Sequence, residues 1–462
     1  MTCVLLLVLT AAAGLASAQQ KDQNRDFQSA LVNYNAGRFP EAAAQLEKLA
    51  VDLPASFDVH ELLGLVYAAQ SQDAKASEHL EKAVRLKPNS AAARTNFAAS
   101  LARQGKFQPA EEQFKKAIAL EPRNYDANHN LGELYAQVGK IAASVPFFEQ
   151  AQRVKPDSYE NGYDLSLAYL HVARTSDARR SVQNLLRQKN SADLHNLLGE
   201  IEEKDSKFIA AAKEFETAAH LDPSESNLFD WGSELLIHRT LDPAVEVFRQ
   251  ATQRYPQSPR LAIGLGMALY SRANYEESVK CLLQAVDLDP ADPRSYHFLA
   301  RAYESSPTQA EEVIQRFRRF AELQPQNPRA LYYYATSSWK GRRTQDAGLD
   351  LEQIESLLKA ALKLDPTFAD AHLQLGNLDS DQKKYAEAIP EYQSALKYNP
   401  KMADAHYRLG QAYVRTGEKQ RAQEQFALYE KLRAQHLAEV DRQRGEIRQF
   451  VYTAKNPAST KQ

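Results

Sequence analysis

The sequence predicts an all-α fold, a solenoid of about twelve helix–turn–helix repeats, and three columns of residues carry that reading. A small residue recurs at Ala30, Gly64, Ala98, Gly132, Ser166, Gly199, Gly232, Gly266, Ala300, Ala335, Gly376 and Gly410, with intervals of 33–35 residues and one of 41. A second small column runs Ala42, Ala76, Ala110, Ser144, Ala178, Ala211, Ala244 and Ser278, passes through Val313 and Ile354, and resumes at Ala388 and Ala422. A proline then closes most repeats, from Pro54, Pro88 and Pro122 to Pro366 and Pro400, with Asn190 standing in once.

Each column has a physical cause. Small residues let two helices approach until their backbones nearly touch, and a proline after the second helix lacks the N–H to continue it. Aromatic and aliphatic stations such as Phe148, Phe215, Phe248 and Leu282 are expected to fill the space between repeats. No single repeat buries enough apolar surface alone, so stability comes from stacking on neighbours. The clearest copy is Ala369-Asp370-Ala371-His372, answered 34 residues later by Ala403-Asp404-Ala405-His406. These columns resemble the tetratricopeptide repeat family over about residues 23–436. The resemblance implies a right-handed superhelix whose concave groove is lined by the first helices and receives extended peptides or partner helices.

Composition agrees with a repeat array. Charged residues make up 25% of the chain, yet the formal net charge is only −2, which argues against nucleic acid or an acidic membrane surface as a partner. Residues 1–18 differ in kind: an uncharged apolar run from Cys3 to Leu9 precedes Ala16-Ser17-Ala18, the small-x-small form of a signal-peptidase site. The run is short for a membrane span, so a cleaved export signal is expected, with an uncleaved anchor as the alternative. The mature chain, residues 19–436 plus a tail, is then expected to lack a membrane span and to work in the periplasm, cell envelope or outside the cell. Cys281 would be its only cysteine, excluding an internal disulfide, and reads as a small helix residue.

Two irregularities interrupt the array. The tenth repeat gains seven residues between Trp339 and Leu351, polar and flanked by glycines, which read as an extended loop that either shapes a binding face or is a neutral insertion. The last repeat has Ala434 where a proline would fall. Its second helix is expected to run on through Leu437, Val440, Ile447 and Val451 as a cap over 437–462, ending in a disordered tail.

Catalytic constellations are missing: Gly264-Leu265-Gly266 is a repeat station, with no strand before it to make a phosphate loop. Four of the eleven histidines (His60, His195, His372, His406) share one first-helix station, a spacing that suits helix packing better than a metal ion. The expectation is no enzyme, no cofactor and no metal.

What remains is recognition. The family's groove positions fall on Asp126, His129, Glu133, Glu160, Phe229, Met267, Tyr270, Arg301, Tyr332 and Trp339, among others, as the resemblance implies. The family's carboxylate clamp is not met by any three consecutive repeats, and its asparagine ladder appears only as Asn96, Asn130 and Asp164. Ser258-Pro259-Arg260, Asp292-Pro293-Arg294 and Asn327-Pro328-Arg329 place an arginine in the first turn of three successive helices, where the macrodipole favours acids. These three, beside Arg301, are expected to form an anion-reading strip for an acidic or phosphate-bearing partner segment, with the aromatics gripping its apolar part. The alternative is that each arginine pairs with an acid such as Asp289 or Asp292. Two functions follow: an exported, non-enzymatic protein-binding scaffold, or a structural protein of the cell envelope that self-associates through its array.

Overall fold

A capping serine or asparagine before a short apolar-rich segment starts six of the first helices. Ser56, Ser90, Asn124, Ser158, Ser224 and Ser258 are N-caps whose side-chain oxygens accept the backbone N–H three residues on. Each such cap is worth about 1 kcal/mol. The computed structural model describes residues 22–345, 348–434 and 445. The export signal expected over residues 1–18 and, residue 445 aside, the capping segment from residue 437 onward lie outside the described residues.

The chain divides into two units, Met1–Asp205 and Ser206–Gln462. The first holds α1 (residues 22–35), α2 (Phe39–Asp52), α3 (Phe57–Ala69), α4 (Asp73–Leu86), α5 (Ala91–Arg103), α6 (Phe107–Leu120), α7 (Tyr125–Gln137), α8 (Ile141–Val154), α9 (Tyr159–His171), α10 (Thr175–Gln188) and α11 (Ala192–Lys204). The second holds α12 (Phe208–Leu221), α13 (Glu225–Ile237), α14 (Leu241–Arg254), α15 (Pro259–Ser271), α16 (Tyr275–Leu288), α17 (Pro293–Ser305), α18 (Ala310–Leu323), α19 (Pro328–Gln345), α20 (Leu351–Leu364), α21 (Ala369–Asp381), α22 (Tyr385–Tyr398), α23 (Ala403–Thr416) and α24 (Lys419–Ala434). No strand occurs among the described residues. Within each unit every helix packs on the next in the chain, the order of an all-α solenoid.

The first small column acts inside a repeat. A Cβ on Gly64 would lie 2.5 Å from Leu80, one on Gly132 2.6 Å from Phe148, and one on Gly376 2.8 Å from Tyr392. In each pair the large side chain stands on the second helix of the same repeat, so these stations fill the hairpin rather than the space between repeats. Phe248 does both, because its ring would meet a Cβ on Gly232 of its own repeat at 2.9 Å and one on Gly264 of the next at 2.5 Å. The second small column is buried throughout.

A further column closes the first helix. Gly37, Ser71, Gly105, Gly139, Ala173, Ser206, Arg239, Ala273, Lys383 and Gly417 all have positive φ, between 58° and 87°. Only glycine adopts that conformation freely; elsewhere the packed helix pair holds an ordinary residue in it.

The histidine station is a latch on the turn between repeats. The Nε2–H of His60, His372 and His406 donates to the carbonyls of Pro54, Pro366 and Pro400 at 3.0, 3.1 and 3.1 Å. Arg94, Asn128 and Tyr296 reach Pro88, Pro122 and Pro290 from the same station. The other ring nitrogen meets the second helix, at His79, Glu391 and Gln425 respectively.

The His60–His79 pair makes this latch sensitive to acid. With His60 Nε2–H committed to Pro54, the 3.0 Å contact between the two Nδ1 atoms has room for one proton, not two. Burial, then Lys82 and His60, push the His79 pKa below the ordinary histidine value. The folded chain therefore binds fewer protons than the unfolded one. The stability this contributes is complete above the unfolded value near 6.5 and is lost as pH falls through the folded pKa. His79→Gln copies the His406–Gln425 pair and is expected to reduce the fall in melting temperature between pH 7.5 and 5. An unchanged fall would place the acid sensitivity elsewhere.

The insertion in the tenth repeat is mostly helix, not the extended loop expected. α19 runs 18 residues against 13 for α15 and α17, carrying Lys340-Gly341-Arg342-Arg343 with it. Lysine, arginine and glutamine are good helix formers, and Arg342 and Arg343 in the last turn suit the negative end of the macrodipole. The chain turns back at Gly348, where φ is +109° and a Cβ would collide with the Ser338 carbonyl oxygen.

Candidate partner-binding faces

Side chains one repeat apart, each displaced by one residue from the equal station, touch between consecutive first helices within each unit. In the first unit the hydroxyls of Tyr125 and Ser158 are 2.7 Å apart, and those of Tyr159 and Ser191 are 3.3 Å apart. In the second, Arg260 Nε donates to Glu225 at 2.7 Å and His297 Nδ1 lies 3.0 Å from the Tyr333 hydroxyl. Partners in these pairs are 32–36 residues apart, one repeat.

Two arginines of the expected strip are tied internally. Arg260 pairs with Glu225 of the preceding repeat, and Arg294 pairs with Asp292 at 2.9 Å. Burial pushes the Glu225 carboxyl up, but Ser258 and Arg260 outweigh it and leave it below the ordinary glutamate value. The residue before each proline caps its helix: Ser258 accepts from Leu261 N, Asp292 from Arg294 N and Asn327 from Arg329 N. An arginine in the first turn is thus offset at these two positions by an acid beside it, which sequence spacing had suggested for Asp292 and had not for Glu225. Arg301 lies over the Tyr270 ring, 5.6 Å from its centroid. Arg329 is exposed and close enough to the buried Tyr333 hydroxyl to oppose its upward pKa shift.

The aromatic groove needs correction. Phe229, Met267 and Trp339 are 0%, 2% and 7% exposed and belong to the core, where a partner cannot reach them. Phe229 packs edge-on to Phe248, and Trp339 joins Ile354, Leu358 and Leu375 beneath the lengthened α19. A first helix meets its own second helix and both neighbouring repeats, so its buried arc is wider than the groove positions of a single helix suggest. Tyr270 and Tyr332 are partly buried; burial pushes the Tyr332 phenol well up, and its ring leans on Phe368, 5.0 Å between ring centroids.

The first unit offers an acidic face. Asn96, Asn130 and Asp164 of the expected ladder are half-buried at corresponding positions of α5, α7 and α9. Burial pushes the Asp164 carboxyl up to about 6, with His129 opposing and Glu133 and Glu160 adding to the rise. Burial and Asp58 raise Glu61 on α3 as well. The structure also brings His129, Glu133 and Glu160 together, with one ligand atom from each within 4.8 Å of the others. Sequence reasoning weighed the column of equal histidine stations against metal binding and missed this set, because its members stand at different stations. The signal was present as i, i+4 pairs, His129/Glu133 and Glu160/Asp164, on adjacent first helices.

Elsewhere, burial pushes the Cys281 thiol up to about 11, as suits a packed helix residue. Among the described residues no helix is long and apolar enough to cross a membrane.

Comparison with known proteins agrees with the repeat period. Models described as tetratricopeptide repeat match residues 27–91, 95–159, 163–226 and 403–436, and one described as TPR repeat matches 266–306 and 376–417. The chain is 29% identical over 114 residues to the peroxisomal targeting signal receptor of Kluyveromyces lactis, covering 24% of this chain and 19% of that one. The corresponding receptor of Eremothecium gossypii is 27% identical over 117 residues, 25% of this chain and 19% of its own. This chain thus spans about a fifth of the length of these curated relatives. The solved structure of Pseudomonas aeruginosa PilF is 20% identical, covers 46% of this chain and 96% of its own, and superposes with a TM-score of 0.40. With family models matching well over half of its residues, at the period its own small-residue columns keep, the chain belongs to the tetratricopeptide repeat family.

Proposed function

We propose that this chain is a non-catalytic protein-interaction scaffold that holds a partner segment along the first-helix face of its repeats. One observation carries the reading: side chains about one repeat apart, within one residue of equal stations, touch between consecutive first helices, so each unit presents groups at repeat spacing. Such spacing suits an extended segment, whose own groups recur along a line. On the second unit the partner is acidic or phosphate-bearing. Arg301 lies over Tyr270 and Arg329 is exposed at the start of α19, and Arg260 and Arg294 pair with acids that align the helices. Export to the periplasm or cell envelope is part of the proposal and rests on residues 1–18; N-terminal sequencing of the secreted chain, beginning at Gln19, is its test.

The charge reading is tested with a partner captured on the full chain. Arg301→Gln with Arg329→Gln is expected to weaken binding about five-fold and flatten its salt dependence. Arg260→Gln is expected to act on stability instead, since it leaves Glu225 without its guanidinium. Undiminished binding by a folded Arg301/Arg329 double variant would move the partner to another face.

A further inference from the structure

We infer that the first unit carries a binding site for a divalent first-row transition ion, zinc in the simplest case, made by His129, Glu133 and Glu160, with Asp164 one turn from Glu160 beside them. The four residues form two i, i+4 pairs. His129 and Glu133 lie one turn apart on α7, and Glu160 and Asp164 lie one turn apart on α9, the first helix of the next repeat. That spacing points both members of each pair to one side of their helix, and the two helices are neighbours. A nitrogen of His129 and an oxygen from each glutamate already lie within 4.8 Å of one another. Asp164 is close enough for its charge to be felt by all three.

The histidine supplies the second line of argument, independent of the carboxylates. His129 is 5% exposed, its ring stacked on Tyr125 and packed against Phe148. Its Nδ1 lies 3.1 Å from Asn161 Oδ1. Asn161 is itself fully buried, and its amide nitrogen donates to the Phe148 carbonyl at 3.0 Å and to Gln152 at 2.7 Å. Those two bonds fix which end of the amide faces the ring: an oxygen, which can only accept. His129 Nδ1 must therefore carry the proton, and in the neutral ring Nε2 presents a lone pair. Among the described residues no hydrogen bond reaches Nε2; Glu133 Oε1 lies 3.8 Å from it, too long for one. A lone pair aimed at carboxylate oxygens needs a cation or the hydrogens of a water between them. An outer partner on Nδ1 with Nε2 turned inward is also how metal-bound histidines are commonly oriented.

The chemistry narrows the ion. One imidazole with carboxylates suits zinc, manganese or iron(II) better than calcium or magnesium, which prefer oxygen alone, and among these zinc binds most tightly. Ligand bonds of about 2.1 Å require the donor atoms to close slightly from their present spacing. The Glu133 side chain is 53% exposed and can swing to do so without disturbing the core.

The test uses the full chain stripped with a chelator, titrated with Zn²⁺ alone by calorimetry at pH 7.5, and with Co²⁺ as an absorbance probe. One ion per chain is expected. Glu133→Gln and Glu160→Gln should each weaken its binding at least about ten-fold, since each removes a ligand charge. Both side chains are largely solvent-facing, so these variants should keep the wild-type melting temperature in the absence of metal; His129→Asn, which disturbs packing, is the secondary variant. No zinc uptake by the wild-type chain would overturn the site and leave a proton or a water there. Uptake equally tight in the Glu133/Glu160 double variant would overturn it as well.

Discussion

Gly266→Leu is expected to cost the second unit about 3 kcal/mol, seen as a lower urea midpoint and faster hydrogen exchange in α15 and α16. A Cβ there would sit 2.6 Å from Leu282 Cγ and 2.8 Å from its Cδ2, and Leu282 is fully buried. The helices cannot simply part, because Ser278 Oγ donates to the Gly266 carbonyl at 2.7 Å across the same contact. Leucine has better helix propensity than glycine by roughly 0.8 kcal/mol, so the steric loss must exceed that gain before any destabilisation appears. Adding Leu282→Ala opens the space a new side chain would need, and the double variant is expected to be more stable than the sum of its singles. Strict additivity, or an unchanged midpoint in Gly266→Leu, would mean that the small column is not set by this contact.

Arg179→Met is expected to destabilise the first unit by about 3 kcal/mol. Arg179 on α10 grips Glu202 on α11 with two nitrogens, at 2.6 and 3.0 Å, and also pairs with Asp205. Glu202 is 8% exposed, so removing the guanidinium takes a two-point ion pair from a carboxylate largely out of water. The side chain of Arg179 is itself 19% exposed, which keeps the expected cost at the lower end of the range for a broken buried pair. Arg179→Lys keeps the charge but not the fork and is expected to lose less. Replacing both partners, Arg179→Met with Glu202→Met, is expected to recover most of the loss, because the cost lies in the buried carboxylate's lost counter-charge. If the double variant is no better than the single, packing of the arginine stem accounts for the effect.

Both effects arise in contacts of different legibility. The glycine column could be read because its cause is local: the large side chain comes 16 residues later on the other arm of the same hairpin, an offset that the two helix lengths fix. The positive-φ column escaped notice because only four of its members quoted above are glycine; the rest are held in a left-handed conformation by the packed pair, which no propensity reports. The insertion was misread for a related reason. Polarity and flanking glycines suit a loop, yet a helix already nucleated and packed extends at little further cost when its next residues favour it.

The sequence alone determined the helical repeat, its period of about 34 residues and the proline turns, for these depend on neighbours along the chain or one hairpin away. Tertiary structure decided what each face can offer. It buried Phe229, Met267 and Trp339, tied Arg260 to Glu225, and set His129 between Asn161 and two glutamates. A column of residues records which side of a helix a group occupies, but an ion pair or a ligand set depends on the approach of two helices to within an ångström. That approach is fixed by side-chain volumes on both repeats together, and no single station in the sequence contains it.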